Sequence, residues 1–324
     1  MTNREDILTL LRSSRTGYVS GAELAGALGV SRTAVWKHIR ALAGDGYEIE
    51  AVPSKGYRLR SAPDLIRAAD LRKALTGALF GAAVDYHRSL LSTNTRAMNL
   101  AQEGAPEGTV VLAEVQTGGK GRLGRTWASP PGNIHLSVVL RPPLPLHRAA
   151  LVTLASAVAA ATAIREATGL TAGIKWPNDI LIQGRKVAGI LTEMSAEADR
   201  IRHLVLGIGV NVNADLSGLP AEVQDRSITL AAAAGRTLDR TDVLIILLRL
   251  MEGWYHRFQI SPAEVIQAWK SLNATLGRRI AVNGPGGTKQ GIAEDITEEG
   301  LLVLRDDSGR VHTVASGDVT IEKT

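Results

Sequence analysis

Through the first sixty residues, apolar positions recur at helical spacing in short runs that polar caps interrupt. Ile7, Leu8 and Leu11 share one face of a helix predicted over residues 4–12. Ser20 with Glu23 makes a capping box ahead of Leu24 and Leu28, and Gly29 stands where a helix ends in the left-handed conformation. Ser31 caps a third helix two residues later, so the pattern predicts a helix-turn-helix. Within that third helix Val35, Ile39 and Leu42 point one way; Thr33, Trp36, Lys37 and Arg40 point the other, with Arg32 and His38 beside them. Tyr47 to Pro53 and Tyr57 to Arg60 then alternate as two strands around Ser54-Lys55-Gly56, a basic β-wing. Such a stripe suits a major groove, where side chains near the helix start meet bases and flanking cations meet phosphates. The alternative is a solvated face with Trp36 packed on a neighbouring domain.

Ser61-Ala62-Pro63-Asp64 reads as a linker, because proline lacks a backbone donor and restricts its predecessor. Beyond it the pattern predicts a helix over 63–75, a strand leading to Ser92-Thr93-Asn94, and a helix over 95–102 capped by those side chains. Strands over 108–116 and 133–141 follow, then a long apolar helix over 147–168. Strand-like runs return at 180–182, 186–194 and 203–212, and helices at 240–258 and 262–272, the latter capped by Ser261 and Glu264. Hairpin-paired strands with helices grouped in long runs predict an α+β fold with a mixed or antiparallel sheet. From Gly277 short strands alternate with turns at Gly284-Pro285-Gly286-Gly287, Glu298-Glu299-Gly300 and Asp306-Asp307-Ser308-Gly309. They predict a small β-barrel, too small to hold an active site of its own. The domain reading is therefore 1–62, 63–274 and 275–324.

Between two of the predicted strands lies Gly118-Gly119-Lys120-Gly121-Arg122-Leu123-Gly124-Arg125-Thr126-Trp127. Its glycines let backbone approach a ligand, and Lys120, Arg122 and Arg125 supply positive charge, so it reads as an anion clamp. A P-loop it is not, since Lys120 is followed by Gly121 instead of Ser or Thr. Gly119, Gly121 and Gly124 match dinucleotide-loop spacing, but the stretch leads into another strand, and no acid stands between Glu114 and Glu166 to meet a ribose. The alternative is a glycine-rich hairpin with a solvated basic face.

Composition narrows the chemistry further. The balance of 37 basic against 32 acidic residues permits a polyanionic partner. With no cysteine, disulfides, thiolate zinc sites and a thiol nucleophile are excluded. The seven histidines show no ligand spacing, and no serine sits in G-x-S-x-G. Met1 to Arg15 carries both signs of charge without an apolar core, and no run reaches eighteen apolar residues, so the expectation is a soluble cytoplasmic protein with no membrane partner.

Five motifs in order resemble one family, the bifunctional biotin protein ligases that join a winged-helix repressor to a ligase. They are Ser92-Thr93-Asn94; Gln116 with Gly119 to Trp127; Lys175-Trp176-Pro177-Asn178-Asp179; Lys186-Val187-Ala188-Gly189-Ile190-Leu191; and Gly207-Ile208-Gly209-Val210-Asn211. Ser31 to Ile39 and Gly56-Tyr57 look like the repressor-type members, so the resemblance spans nearly the whole chain. It implies a winged helix-turn-helix, a central class II synthetase-like α+β domain with a mixed sheet, and a C-terminal SH3-like β-barrel. It implies a biotin–[acetyl-CoA-carboxylase] ligase. Biotin and Mg-ATP would give biotinyl-5′-adenylate and pyrophosphate, and a lysine of the biotin carboxyl carrier protein would then attack the adenylate. Operator DNA is the second partner, read by Arg32, Thr33, Trp36, Lys37, Arg40 and Lys55, with a homodimer when adenylate is bound.

By the same resemblance Ser92, Thr93, Asn94, Gln116 and the backbone of Gly119, Lys120, Gly121 and Arg122 hold biotin, while Arg122 and Lys186 are catalytic. Trp127 would close the loop over the adenylate, and Asn178, Asp179 and Asn211 would join its contacts. Asp179 would meet metal or ribose, or else cap the hairpin after Pro177. Mg2+ would come with ATP, without a protein metal cage. Lys120 departs from relatives that carry arginine there, replacing a bidentate fork by a point charge. A lipoate-type ligase and a non-enzymatic ligand-sensing repressor are the competing readings.

Overall fold

In the computed structural model, which describes residues 3–14, 17–197, 200–284 and 287–322, the chain divides into two units, Met1–Ala69 and Asp70–Thr324. In the first, helices α1 (Asn3–Ser13), α2 (Gly21–Leu28) and α3 (Arg32–Gly44) close over Ile7, Leu24, Val35, Ile39 and Leu42. The predicted caps form: the Ser20 hydroxyl accepts from the Glu23 amide at 3.0 Å and the Ser31 hydroxyl from Ala34 at 3.2 Å, while Gly29 ends α2 at φ 64°. Strands β1 (Glu48–Val52) and β2 (Gly56–Ser61) pair antiparallel as the wing. The helix expected over 63–75 is shorter, α4 (Ala68–Ala74). The Leu65 amide turns back onto the Pro63 carbonyl at 2.8 Å, and this tight turn keeps the preceding residues out of the helix.

The second unit is built on a seven-stranded sheet of order β3-β4-β5-β9-β8-β7-β6. Its strands are β3 (Val84–Leu90), β4 (Val110–Gln116), β5 (Ile134–Leu140), β6 (Gly173–Lys175), β7 (Asp179–Ile182), β8 (Arg185–Glu197) and β9 (Arg200–Val210). Only β3 and β4 run parallel, joined through helix α5 (Thr93–Gln102), so the sheet is mixed. Because side chains alternate across a pleat, the two faces can be read separately. Val111, Val139 and Val205 face α5. Leu140 and Leu206, one position on, face the opposite layer, where helix α6 (Ala149–Thr168) packs against helix α9 (Arg240–Ile260). Residues Leu146–Thr168 are long and apolar enough to cross a bilayer, but most of this stretch is buried, which accounts for its composition.

Two short helices escaped the pattern, α7 (Ala221–Arg226) and α8 (Leu230–Ala234), on the way from β9 to α9. Helix α10 (Pro262–Leu272) follows α9, but its expected side-chain cap is absent: the Glu264 amide bonds the Ser261 carbonyl at 3.1 Å, and Pro262 starts the helix. Strands β10 (Arg279–Gly284), β11 (Gly287–Ile296), β12 (Leu302–Arg305), β13 (Val311–Val314) and β14 (Asp318–Ile321) form an antiparallel sheet of order β13-β12-β11-β10-β14. Pro285 and Gly286, in the turn expected there, lie outside the described residues. This sheet is tied to the β6–β7 turn through Trp176, whose indole N–H donates to the Gly300 carbonyl at 3.1 Å, and to α10 through Lys270 with Asp295 at 2.6 Å. The Trp176–Pro177 peptide is cis.

A buried ion pair locks α9 to the sheet. The Arg240 guanidinium, with no exposed side-chain surface, lies 2.8 Å from Glu114 and donates to the Asn133 carbonyl at 2.6 Å; the Tyr86 hydroxyl donates to the other Glu114 oxygen at 2.7 Å. Removing one partner leaves a carboxylate in the core, so Arg240→Met should cost about 3–5 kcal/mol in urea denaturation, with partial recovery on adding Glu114→Gln. A loss under about 1 kcal/mol would show that the pair is not buried in this sense.

Candidate ligand-binding site

Two rows across the α5 face of the sheet make the floor. In one, His135 on β5, Gly209 on β9 and Gly189 on β8 stand side by side; in the next, Ser137, Gly207 and Leu191 do. A Cβ on Gly209 would lie 2.4 Å from the Trp127 indole, and one on Gly207 would lie 2.0 Å from Asn94 Oδ1. Only glycine admits groups this close to the backbone, so Trp127 and Asn94 lie where side chains would otherwise stand.

The polar wall is set by the start of α5. Ser92 is the cap, its hydroxyl accepting from the Thr95 amide at 3.5 Å, whereas Thr93 and Asn94 are already helical and turn their side chains inward instead of capping. All three are nearly fully buried. The Thr93 amide and hydroxyl donate to Gln116 Oε1 at 2.8 and 3.1 Å, and Gln116 Nε2 donates to Ser129 at 3.0 Å. Ser137 donates to Asn94 Oδ1 at 2.6 Å, and Asn94 Nδ2 donates to Glu193 at 2.7 Å.

The glycine stretch does close as a narrow hairpin. The Gly121 amide bonds the Arg125 carbonyl at 2.7 Å, the Trp127 amide bonds Gly119 at 2.9 Å, and Leu123 takes φ 56° at the tip. Its two arginines are nonetheless tied down. Arg122 donates to Asn178 Oδ1 at 3.1 Å and to the Gly317 carbonyl at 3.4 Å; Arg125 makes a two-pronged pair with Asp318 at 3.1 and 2.6 Å. Burial pushes the Arg122 guanidinium below its usual value, though it stays charged. The Arg125 hydrogen bond holds the Asp318 carboxyl below the usual range, and Asp318 raises Arg125 in turn. Lys186 completes the cationic rim, 2.5 Å from Asp179 and 5.3 Å from the Trp127 ring centre.

These groups line one partly open pocket. Of the residues expected to bind ligand, Ser92, Thr93, Asn94, Gln116, Lys120, Gly121, Arg122, Trp127, Asn178 and Lys186 line it. Gly119, Asp179 and Asn211 do not. Gly119 backs the loop, where a Cβ would meet the Trp127 carbonyl at 2.4 Å. Asp179 is held by Lys186 and, at 3.5 Å, by Lys175, while Asn211 Oδ1 accepts from Asn133 at 3.3 Å. Leu136 and the strand stretches Gly189 to Leu191 and Gly207 to Gly209 also line the cavity. The two-residue spacing of Gly207 and Gly209, which puts both on one face of a strand, is the signal that could have found them. Nothing local points to Gly317 and Asp318, since Asp318 lies 193 positions from Arg125. Among the described residues, no group of three or more His, Cys, Asp or Glu side chains is placed to hold a metal.

In the first unit the expected DNA face is exposed at Arg32, Thr33, Trp36, Lys37, Arg40 and Lys55. Arg32, Thr33 and Trp36 share an open groove with Pro53, Ser54 and Tyr57 of the wing. Trp36 is 47% exposed and carries the Arg40 guanidinium 4.9 Å above its ring, so the stripe is a braced cationic ridge.

A helix-turn-helix with a wing, followed by a mixed sheet whose cavity joins a neutral polar wall to a rim of cations, defines a ligase fused to a DNA-binding unit. Residues 86–211 match the biotin/lipoate A/B protein ligase family, residues 3–58 an HTH domain, and residues 275–321 the biotin protein ligase C-terminal domain. The bifunctional ligase/repressor BirA of Bacillus subtilis is 40% identical over 324 residues, 99% of each chain. That of Escherichia coli K12 is 30% identical over 304 residues, 93% of this chain and 92% of its own. The solved biotin protein ligase from Aquifex aeolicus in complex with biotin and ATP superposes with a TM-score of 0.65 at 28% identity, over 75% of this chain and 99% of that one. The chain belongs to the bifunctional ligase/repressor family of biotin protein ligases.

If Asp318 braces the loop, Asp318→Ala should raise hydrogen exchange at the Gly121 and Trp127 amides by about ten-fold, the size of one charge-assisted contact, and leave α6 unchanged. Unchanged exchange in the loop would mean that the hairpin is held by its own backbone bonds alone.

Proposed function

We propose that the cavity binds biotin and ATP, forms biotinyl-5′-adenylate, and passes biotin to a lysine of a carrier protein, while the winged helix represses biotin genes at an operator. The observation that carries this reading is the meeting of Arg122, Lys186 and Lys120 at the rim of a cavity whose inner wall is neutral and polar. Biotin carboxylate and ATP triphosphate repel one another, so a preorganised cationic rim is what their reaction needs. A carboxylate oxygen attacks the α-phosphorus, the C–O–P link forms, the α–β bridging bond breaks, and pyrophosphate leaves. Arg122 and Lys186 stabilise the charge that develops in that step. Trp127 backs Lys186, and Asn178 orients Arg122. The neutral amine of the carrier lysine then attacks the anhydride carbonyl, AMP departs, and the amine proton is lost to solvent. No nucleophile on the enzyme is required.

Mg2+ fits as a companion of the triphosphate, whose charge it reduces when bound. Asp179 is the one acid of the Lys175 to Asp179 motif, and two lysines already hold it. The polar wall favours the cyclic urea of biotin over a dithiolane ring, which separates this reading from a lipoate-type ligase. Two half-sites of an operator match a homodimer of the adenylate-bound protein, and we place the protein in the cytoplasm with its carrier and its DNA.

Labelled biotin should appear on the carrier protein and resist competition by excess lipoate. In single turnovers Lys186→Ala should slow adenylate synthesis by about 2–4 kcal/mol, whereas Arg122→Gly should chiefly speed its escape. Wild-type synthesis in Lys186→Ala, or lipoate transfer by the wild type, would contradict the assignment. On the DNA side, Lys37→Ala with Arg40→Ala should weaken operator binding and flatten its salt slope by about two, with ligase activity intact. An unchanged slope in gel shifts across salt concentrations would place the DNA contact elsewhere.

A further inference from the structure

We propose that Glu193, which does not line the cavity, is a positioning residue that fixes the orientation of the Asn94 amide and thereby selects a ligand head that donates hydrogen bonds. The inference rests on the biotin reading of the cavity and deepens it. Asn94 lies across the sheet over Gly207, between Ser137 on β5 and Leu191 on β8, which pair with Gly207 from either side. Its Nδ2 donates to the Glu193 carboxylate at 2.7 Å and lies 3.4 Å from the Leu191 carbonyl, so both amide protons are committed within the protein. Its Oδ1 accepts from the Ser137 hydroxyl at 2.6 Å. Turning the amide over would set its oxygen against a carboxylate and a carbonyl with no proton among the three, which one orientation avoids.

What Asn94 has left to offer the cavity is the remaining lone pair of Oδ1, an acceptor. A cyclic urea N–H meets it; a ring that carries only sulfur and carbon does not. Gly207 is the second half of the device, because a Cβ there would lie 2.0 Å from Asn94 Oδ1 and force the amide away. Glu193 acts from one end of the amide and Gly207 from beneath it, and neither needs to touch the ligand's reacting carboxylate.

The test uses the full-length protein, with biotin binding by calorimetry and steady-state constants for both substrates. Glu193→Leu removes the acceptor at similar bulk, and Glu193→Gln keeps an oxygen in its place. Biotin affinity should fall about ten-fold in Glu193→Leu, recover most of the way in Glu193→Gln, and fall likewise in Gly207→Ala. The KM for ATP, and kcat at saturating biotin, should stay at wild-type values in Glu193→Leu. Wild-type biotin affinity in Glu193→Leu, equal losses in the Leu and Gln variants, or parallel losses for ATP and biotin would overturn the proposal. A wild-type protein that binds no biotin would overturn the ligase reading itself, so the two failures are distinguishable.

Discussion

The architecture of the site depends on two missing side chains. Gly207 and Gly209 on β9 leave the α5 face of the sheet open at two successive rows, and the Asn94 amide and Trp127 indole occupy the space. Everything else is arranged around that close approach. The start of α5 must be near enough to lay Asn94 on the sheet, and the glycine hairpin must return at the depth that puts Trp127 there. Lys186 can then sit beside the ring and still reach Asp179. Residues larger than glycine at these positions would separate the polar wall from the cationic rim, and a ligand would meet one or the other.

Electrostatics supply the second constraint. Four cations, Lys120, Arg122 and Arg125 on the glycine hairpin and Lys186 at the start of β8, stand close together, and the protein must hold them so before any anion arrives. It does so with an acid or an amide for three of them: Asp318 on Arg125, Asp179 on Lys186, and Asn178 on Arg122. An incoming carboxylate and triphosphate would then find charges already oriented, which lowers the reorganisation that the reaction demands. The C-terminal sheet thus contributes to the site without containing it, through Asp318 and the Gly317 carbonyl.

What could be read from the residues was local. Caps at Ser20 and Ser31, the split faces of α3, and the alternation of the wing each depend on neighbours within a few positions, and each forms. The order of hairpins implied a mixed or antiparallel sheet for the same reason, and the parallel β3–β4 pair makes it mixed. Misjudged details turn on competition between local signals. Pro63 opens a turn where a helix was expected, and Ser261 offers its carbonyl, not its hydroxyl, to α10. The site was legible as motifs but not as geometry. Asn211 and Asp179 belong to motifs that reach the cavity yet do not line it, Asn211 meeting Asn133 and Asp179 meeting Lys186 and Lys175, and the Arg125–Asp318 pair has no counterpart in spacing, because it joins two separately patterned segments.

The central claim is that one preformed cavity brings two mutually repelling anions into reaction. Native mass spectrometry after incubation with biotin and Mg-ATP tests it most directly. The account predicts one biotinyl-5′-adenylate retained per chain, formed only when both substrates are present and accompanied by pyrophosphate. Retention of ATP unchanged in the presence of biotin, or ATP cleavage that proceeds equally without biotin, would contradict it.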